Sequence, residues 1–299
     1  MNESRYLNRA ALLVICALPL AAAAGSDSVD RKVAADANGA VTISNVSGNI
    51  EVRGWDRNEV QVTGHLGSGV ERLDVESSGG RTVVKVVLPR GNSHDGDADI
   101  EVSVPKGSSV EVSAVSADVS SRGVLGTQRL KSVSGEVTAD IAGDDSEVSS
   151  VSGDVTVRGS GKPLSLRVTS VSGSLDITNT AGKLDVVTVS GDARLQLGDT
   201  SEIRGRTTSG DLEVNGKLTR DGRVDVEGVS GDITLRLSAP AGMSADIESF
   251  SGDITGCLAQ NVERVSKYGP GTRLNIRAAE PGARLRAKTL SGDIDICDR

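Results

Sequence analysis

The segment Val189-Ser190-Gly191-Asp192-Ala193-Arg194-Leu195 contains the tripeptide that decides the fold, because close copies of Ser-Gly-Asp recur along the chain. The copies begin at Ser47, Ser116, Ser134, Ser152, Ser172, Ser190, Ser209, Ser230, Ser251 and Ser291. From Ser116 onward the steps are 18, 18, 20, 18, 19, 21, 21 and 40 residues, the last being a doubled step. A fixed period of about 20 residues is typical of a solenoid, in which each repeat forms one coil.

From Val110 onward the copies follow a regular pattern of apolar residues. With the tripeptide Ser as position zero, apolar residues recur at −6, −4, −1, +3 and +5, as in Leu184, Val186, Val189, Ala193 and Leu195. A spacing of two predicts strands with one face inward, and the interruption across Ser-Gly-Asp predicts a corner. At that corner Gly supplies backbone freedom and Asp hydrogen-bonds to the turn. We therefore predict inward side chains at all five positions.

Position −5 supports this register independently. Its residues alternate in sign over seven coils: Glu111, Arg129, Glu147, Arg167, Asp185, Arg204 and Asp225. Opposite charges on adjacent strands favour this register. The doubled step contains a degenerate copy, because taking Gly271 as zero puts Leu274 at +3 and Ile276 at +5. The prediction is an all-β, single-chain parallel β-solenoid of about 18–21 residues per coil, with about ten coils in residues 110–299.

The rest of the chain divides into three segments. Residues 1–24 are predicted to be a signal peptide, because Arg5 and Arg9 precede an apolar run over 10–20 and small residues follow at 22–24. Residues 25–39 are a predicted flexible lead-in, and 40–109 a first coil followed by a less regular β region. The apolar run is short for a membrane span. We expect an exported chain, in the periplasm, at the cell surface or in the medium, that does not span the membrane after cleavage.

Several motifs resemble a bacterial family of unknown function labelled "putative adhesin". The similarity covers roughly residues 40–297. The motifs are the Val-Ser-Gly-Asp-Val repeats, Ile43-Ser44-Asn45-Val46-Ser47-Gly48, Gly54-Trp55, Val104-Pro105-Lys106-Gly107, Ala239-Pro240-Ala241-Gly242 and Ser249-Phe250-Ser251-Gly252-Asp253. The resemblance implies an exported β-solenoid built of Ser-Gly-Asp coils. It brings no catalytic or binding residues with it.

Composition excludes several functions. A formal charge of −8 with interspersed signs argues against a nucleic-acid partner. The histidines are His65 and His94, and neither lies in a nucleophile motif. Sugar clefts usually offer aromatic platforms, and the chain after the signal has only Trp55, Phe250 and Tyr268. We therefore predict no enzyme activity, no catalytic residues and no cofactor.

Two columns of polar residues are candidate binding sites. Stacked carboxylates such as Asp192, Asp211, Asp232 and Asp253 could hold Ca²⁺. However, Glu136 and Ser174 interrupt that column, and Asp after Gly suits a turn, so we favour turn chemistry and predict no metal site. The Ser or Thr at −2 suggests an ice-binding array, but the neighbouring columns are charged. Hydroxyl groups bonded to the turn backbone are the favoured explanation.

The cysteines left after export are Cys257 and Cys297, both at +6. With a coil at Gly271 between them, their Cα atoms would lie about 9–10 Å apart, which exceeds the reach of a disulfide. We therefore predict no intramolecular bridge. Cys297 lies in the last coil, whose strand edge is open to another chain. A tail-to-tail homodimer with an intermolecular disulfide through Cys297 is the hypothesis that this placement suggests.

The sequence thus favours a non-catalytic structural, adhesin-like or protein-binding module of the bacterial cell envelope. Its partner would be an unidentified envelope or surface protein or polysaccharide. One alternative is a β-helix enzyme acting on envelope polysaccharide, which would need a groove with converging carboxylates. The other is a sensor of envelope state that works through a protein partner.

Overall fold

The computed structural model describes residues 27–89, 96–239, 242–265, 270–280 and 282–298, and the secondary structure of these residues is entirely β. Its strands are β1 (Asp27–Ala34), β2 (Ala40–Trp55), β3 (Glu59–Leu66), β4 (Arg72–Ser78), β5 (Arg81–Val87), β6 (Asp97–Pro105), β7 (Ser109–Arg122), β8 (Gln128–Ser132), β9 (Val137–Ile141), β10 (Ser146–Ser150), β11 (Val155–Gly159), β12 (Pro163–Ser170), β13 (Leu175–Thr188), β14 (Ala193–Thr207), β15 (Leu212–Ser230), β16 (Ile233–Ser238), β17 (Met243–Ser251), β18 (Ile254–Thr255), β19 (Glu263–Arg264), β20 (Thr272–Ile276), β21 (Ala283–Ser291) and β22 (Ile294–Cys297). The predicted all-β class is confirmed. The predicted signal peptide lies outside the described residues.

Neighbouring repeats pair in parallel at the predicted steps. Strands that precede a Ser-Gly-Asp corner pair with one another, as β8 does with β7 and β10. Strands that follow the corner do the same, as β9 does with β7 and β11. β7 and β13 each continue through a corner and pair with neighbouring strands both before and after it. The pairings therefore form a closed ring of seven strands, in the order β7, β8, β10, β12, β13, β11 and β9. The remaining strands lie outside this ring, and several pair in antiparallel fashion, so a purely parallel solenoid describes the fold only in part.

The core lies between the strands on the two sides of each corner. In the repeat built from β10 and β11, Val148, Val155 and Val157 are fully buried. Position −1 does not belong to this core: Val189 is 42% exposed, although Val186 and Leu184 are buried as predicted. The strand ends at −2, so the next side chain points outward where the chain begins to turn. The predicted inward orientation of position −1 is therefore wrong.

The amino-terminal end is closed by strands that lie early in the sequence. β2 pairs with β7 on one side, and with β5 and β6 on the other. The repeat formed by β5 and β6 is therefore outermost, and β4 and β3 cover it in antiparallel pairs. β1 pairs with β3, and its Val29 and Val33 pack against the core. Residues 27–34 are thus a strand rather than part of a flexible lead-in.

The carboxyl-terminal repeat is inserted between earlier ones. β21 lies between β15 and β17, and β22 lies between β16 and β18. β20 pairs with β17 in the antiparallel direction on its outer side, so it covers the end of the stack. The predicted parallel coil at Gly271 is therefore wrong. A turn with Leu274 and Ile276 at the expected spacing satisfies the local pattern but runs in the opposite direction.

Candidate functional site

The Ser-Gly-Asp corner is built by the hydroxyl groups at position −2. Ser150 is buried, and its Oγ accepts a hydrogen bond from the Gly153 N–H at 2.9 Å. Thr188 does the same for Gly191 at 3.2 Å, and its hydroxyl also donates to the carbonyl oxygen of Gly191. A buried hydroxyl needs such partners, because an unpaired polar group inside the protein is costly. These groups are inside the protein, so they form turn ladders as predicted rather than an exposed array.

Glycine at +1 allows the corners to stack closely. A Cβ added to Gly173 would overlap the backbone carbonyl oxygen of Gly153 in the preceding repeat. Neither glycine has a positive φ, so close approach rather than a left-handed backbone requires glycine in these repeats. Conformational freedom, the reason that the sequence suggested, applies at Gly231, whose φ is 139°.

The Asp at +2 connects one repeat to the next. In each case one carboxylate oxygen accepts the backbone N–H at the same position of the neighbouring repeat, at 2.8–3.0 Å. The acceptors are Asp118, Asp154, Asp192, Asp211, Asp232 and Asp293. Glu136 and Ser174 occupy the same position in their repeats. Within the described chain, their side chains do not accept the N–H of the next repeat. One oxygen of each of these Asp carboxylates thus accepts a hydrogen bond from the neighbouring repeat, rather than from its own turn as the sequence had suggested, and the prediction that calcium is not bound stays a prediction.

The corner exposes a line of large apolar side chains, interrupted at one polar residue, which we call the apolar row. Its members occupy position −1 and are 39% to 56% exposed. In spatial order they are Val46, Val115, Val133, Val151, Val171, Val189, Val229, Leu290 and Phe250, with Thr208 between Val189 and Val229. Monomeric soluble proteins rarely expose contiguous apolar patches of more than a few hundred Å², and larger ones commonly mark interaction surfaces.

Beside the apolar row, across the exposed Ser of each tripeptide, runs a line of carboxylates, which we call the acidic row. Its members are Asp118, Glu136, Asp154, Asp192, Asp211, Asp232, Asp293 and Asp253, and all are exposed. Among the described residues, none of these carboxylates lies within ion-pair distance of a Lys or Arg nitrogen. Two acids at position −5 differ, since Asp185 pairs with Arg167 at 3.0 Å and Asp225 with Arg286 at 3.7 Å.

Among the residues that the structure describes, no group of three His, Cys, Asp or Glu side chains is placed to hold a metal ion. His65 is exposed on β3, and His94 lies outside the described residues. Trp55 donates its ring N–H to the Glu59 carbonyl oxygen at 2.9 Å, under the guanidinium of Arg57. Phe250 ends the apolar row, whereas Tyr268 lies outside the described part of the chain.

Two grooves on the flanks of the described chain offer no converging free carboxylates, whereas a third, of about 520 Å³, is lined by Glu51, Asp118 and Glu136. One groove, of about 1050 Å³, has Glu213 as its one acidic lining residue, and Asn215 donates to that carboxylate at 2.8 Å. A smaller groove of about 280 Å³ is lined by acids that alternate with Arg and Lys, including the ion pair Arg204–Glu202 at 2.6 Å. A polysaccharide-cleaving enzyme requires two free carboxyl groups flanking one bond.

Cys257 and Cys297 form an intramolecular disulfide, with their Cα atoms 4.9 Å apart. They are neighbours because β18 pairs directly with β22, with no repeat between them. The prediction of no intramolecular bridge is therefore wrong, and the structure pairs Cys297 within its own chain rather than with another. The error follows from the coil that was expected at Gly271.

The fold is thus a stack of β repeats whose corners expose an apolar and an acidic row. A family model described as Toastrack DUF4097 matches residues 40–297, and the chain belongs to this family. None of the curated proteins matches the sequence. Within the described residues, no helix has the length and apolar character needed to cross a membrane.

Three of the solved structures to which the chain is similar come from Parabacteroides distasonis and Bacteroides fragilis. A protein described as a putative lipid binding protein from Parabacteroides distasonis is 11% identical, with 91% of this chain and 97% of that chain covered and a TM-score of 0.42. A putative adhesin from the same organism is 11% identical over 91% and 98% of the two chains, with a TM-score of 0.38. One from Bacteroides fragilis is 11% identical over 91% and 99%, also with a TM-score of 0.38.

Proposed function

We propose that this chain is an exported, non-catalytic, adhesin-like binding module of the bacterial cell envelope that holds an envelope or surface component along its Ser-Gly-Asp corner. The observation that carries the proposal is the apolar row. Export is supported by the signal-like sequence at residues 1–24 and by the Cys257–Cys297 disulfide, since disulfides persist in oxidising compartments.

Corner geometry alone does not account for the apolar row. Thr208 occupies the same position in one repeat and is exposed there, so the turn accepts a polar side chain. The hydrophobic core is formed instead by positions −4 and −6, such as Val186 and Leu184, which are almost fully buried. Aliphatic side chains at position −1 in successive repeats therefore serve a contact outside the chain.

The proposal is tested by attachment of the purified mature protein to intact bacterial envelopes. A Val151→Ser/Val171→Ser variant should attach at least ten-fold less than the unmodified protein. Leu125→Ser is the matched control, because Leu125 is 58% exposed but lies off the apolar row, and this variant should attach normally. All three proteins should unfold at similar denaturant concentrations, since exposed substitutions change stability by less than about 0.5 kcal/mol. Equal attachment of the row variant and the control would refute the proposed surface.

A further inference from the structure

We infer that the partner segment on the apolar row is a basic amphipathic α-helix, that is, a helix of another protein with an apolar stripe bordered on one side by Lys or Arg. This inference rests on the proposed function and specifies its partner. It is carried by the spacing of the apolar row, by the acidic row beside it and by the neutral surface on its other side.

The spacing of the row fits a helix better than a strand. Paired strands lie about 4.8 Å apart, so apolar side chains recur at that interval. A helix presents its apolar stripe once per turn of about 5.4 Å, whereas a strand presents one face about every 6.7 Å. The mismatch is about 0.6 Å per step for a helix and about 1.9 Å for a strand. Over five steps the offset reaches about 3 Å for a helix and about 9.5 Å for a strand, so the helix follows the spacing of the row more closely.

The stretch from Val46 to Val189 supplies a seat of adequate length. It contains six valines in consecutive repeats with no polar interruption. Five steps span about 24 Å, which equals the length of a helix of about 16 residues. A helix of this length has about four turns and can place one large apolar side chain per turn against the valines.

The charges on the two sides of the row differ. The acidic row borders it on the Asp side with Asp118, Glu136, Asp154 and Asp192, whose charges have no Lys or Arg partner in the described chain. On the other side, position −3 of the same repeats is uncharged except for Lys131. Unpaired carboxylates in a line attract cations over a Debye length of about 8–10 Å. The surface therefore complements Lys or Arg along one border of the apolar stripe.

Two other occupants fit less well. A second copy would add its own acidic row to the same interface, and like charges there oppose association. The apolar row is also one side chain wide, whereas a stable interface buries about 800 Å² per partner. An anionic lipid surface would be repelled by the acidic row in the same way.

The test uses two fluorescent peptides of 18 residues with the same helical Leu stripe. One carries Lys on one border of the stripe, and the other carries Glu at those positions. The mature protein should bind the Lys peptide, as measured by fluorescence anisotropy, with an affinity that falls as salt is added. The Glu peptide should bind at least ten-fold more weakly. Binding of both peptides with equal affinity would overturn the inference.

Variants locate the binding on the corner. Val151→Ser/Val171→Ser should weaken binding of the Lys peptide at least ten-fold, and Leu125→Ser should leave it unchanged. Asp154→Asn/Asp192→Asn should weaken binding of the Lys peptide several-fold and reduce the salt dependence, because it removes two charges of the acidic row. The fold should be retained, because Asn keeps the oxygen that accepts the next repeat's N–H. Glu111→Gln, at position −5, is the control for removal of one exposed charge, because Glu111 is exposed and lies off both rows. If neither variant weakens binding, the peptide does not bind at the corner but responds to the net charge of the protein, which would overturn the inference.

The remaining outcomes separate this inference from the proposed function. Co-sedimentation with anionic phosphatidylglycerol vesicles but no peptide binding would assign the row to a membrane and overturn the helix. A valine-dependent increase in mass with protein concentration would assign it to a second copy. If envelope attachment depends on Val151 and Val171 while the Lys peptide does not bind, the partner chemistry is wrong and the proposed surface stands. If neither depends on them, both are wrong.

Discussion

The disulfide between Cys257 and Cys297 predicts a measurable loss of stability when it is removed. The bond closes a segment with a sequence separation of 40 residues. In the chain-entropy treatment, a loop of this length contributes about 4 kcal/mol by restricting the unfolded chain. Replacing both cysteines by alanine removes this restriction without leaving a free thiol. We therefore expect the free energy of unfolding of the terminal repeats to fall by about 4 kcal/mol.

The position of the bond also predicts where the loss appears. It joins β22 to β18, at the carboxyl-terminal end of the stack. Repeats contact only their neighbours, so the end should open locally before the centre unfolds. Hydrogen exchange should show lower protection in β17, β18 and β22 of the double variant, with little change in β9 to β13. Reductant should reproduce the effect in the unmodified protein and have none in the variant. Two free thiols in the oxidised native protein, or unchanged exchange after reduction, would refute the argument.

Other predictions follow from the burial and contacts of single residues. Val186→Asp should cost several kcal/mol in denaturant unfolding because Val186 is buried, whereas Val189→Asp should cost less than about 1 kcal/mol, and equal losses would contradict the assigned faces. Gly173→Ala should destabilise strongly because its Cβ meets the backbone of Gly153, and an unchanged midpoint would contradict this stacking. The Lys288 ammonium, with a smaller contribution from Arg273, lowers the pKa of Glu248. These contacts stabilise the fold above the ordinary Glu pKa, and this stabilisation is lost as the pH falls through the lowered value. Lys288→Gln should therefore reduce, by under about 1 kcal/mol for a partly exposed pair, the loss of unfolding free energy at acid pH. Millimolar calcium should leave the melting temperature equal to that in chelator, and a rise of many degrees would establish a metal site.

The repeat and its register could be predicted from the sequence because the tripeptide fixes both the corner and the step. Glu147, for example, lies directly opposite Arg129 on one neighbouring strand and Arg167 on the other, which is the register that the alternating charges predict. Steps of 18–21 residues therefore place the correct strands next to one another. This part of the prediction depended on local pattern, which neighbouring repeats satisfy in the same way.

Hydrophobicity alone predicts the wrong orientation for position −1. Buried Ser150 and Thr188 continue the period of two from −6 and −4, so −2 is the inward position. Val151 and Val189 follow them at the turn and are exposed. Apolar character is an unreliable guide at a corner, since much of a folded protein's surface is apolar and small hydroxyls are readily buried when they bond to a turn. The period was the better signal.

Sequence order predicts the wrong spatial order for the last repeats. One pair of charged residues in the sequence already contradicts that order. If the repeats followed one another along the chain, Asp225 and Asp246 would be adjacent in the alternating column, and like charges on adjacent strands destabilise a sheet. In the structure Arg286 lies between them, paired in register with both. The alternation therefore continues through the inserted repeat as Asp225, Arg286 and Asp246. The same insertion brings Cys297 next to Cys257 and places Leu290 between Val229 and Phe250 in the apolar row. One charge conflict thus carries the information needed to place the final repeat, to pair the cysteines and to extend the proposed binding surface to the end of the stack.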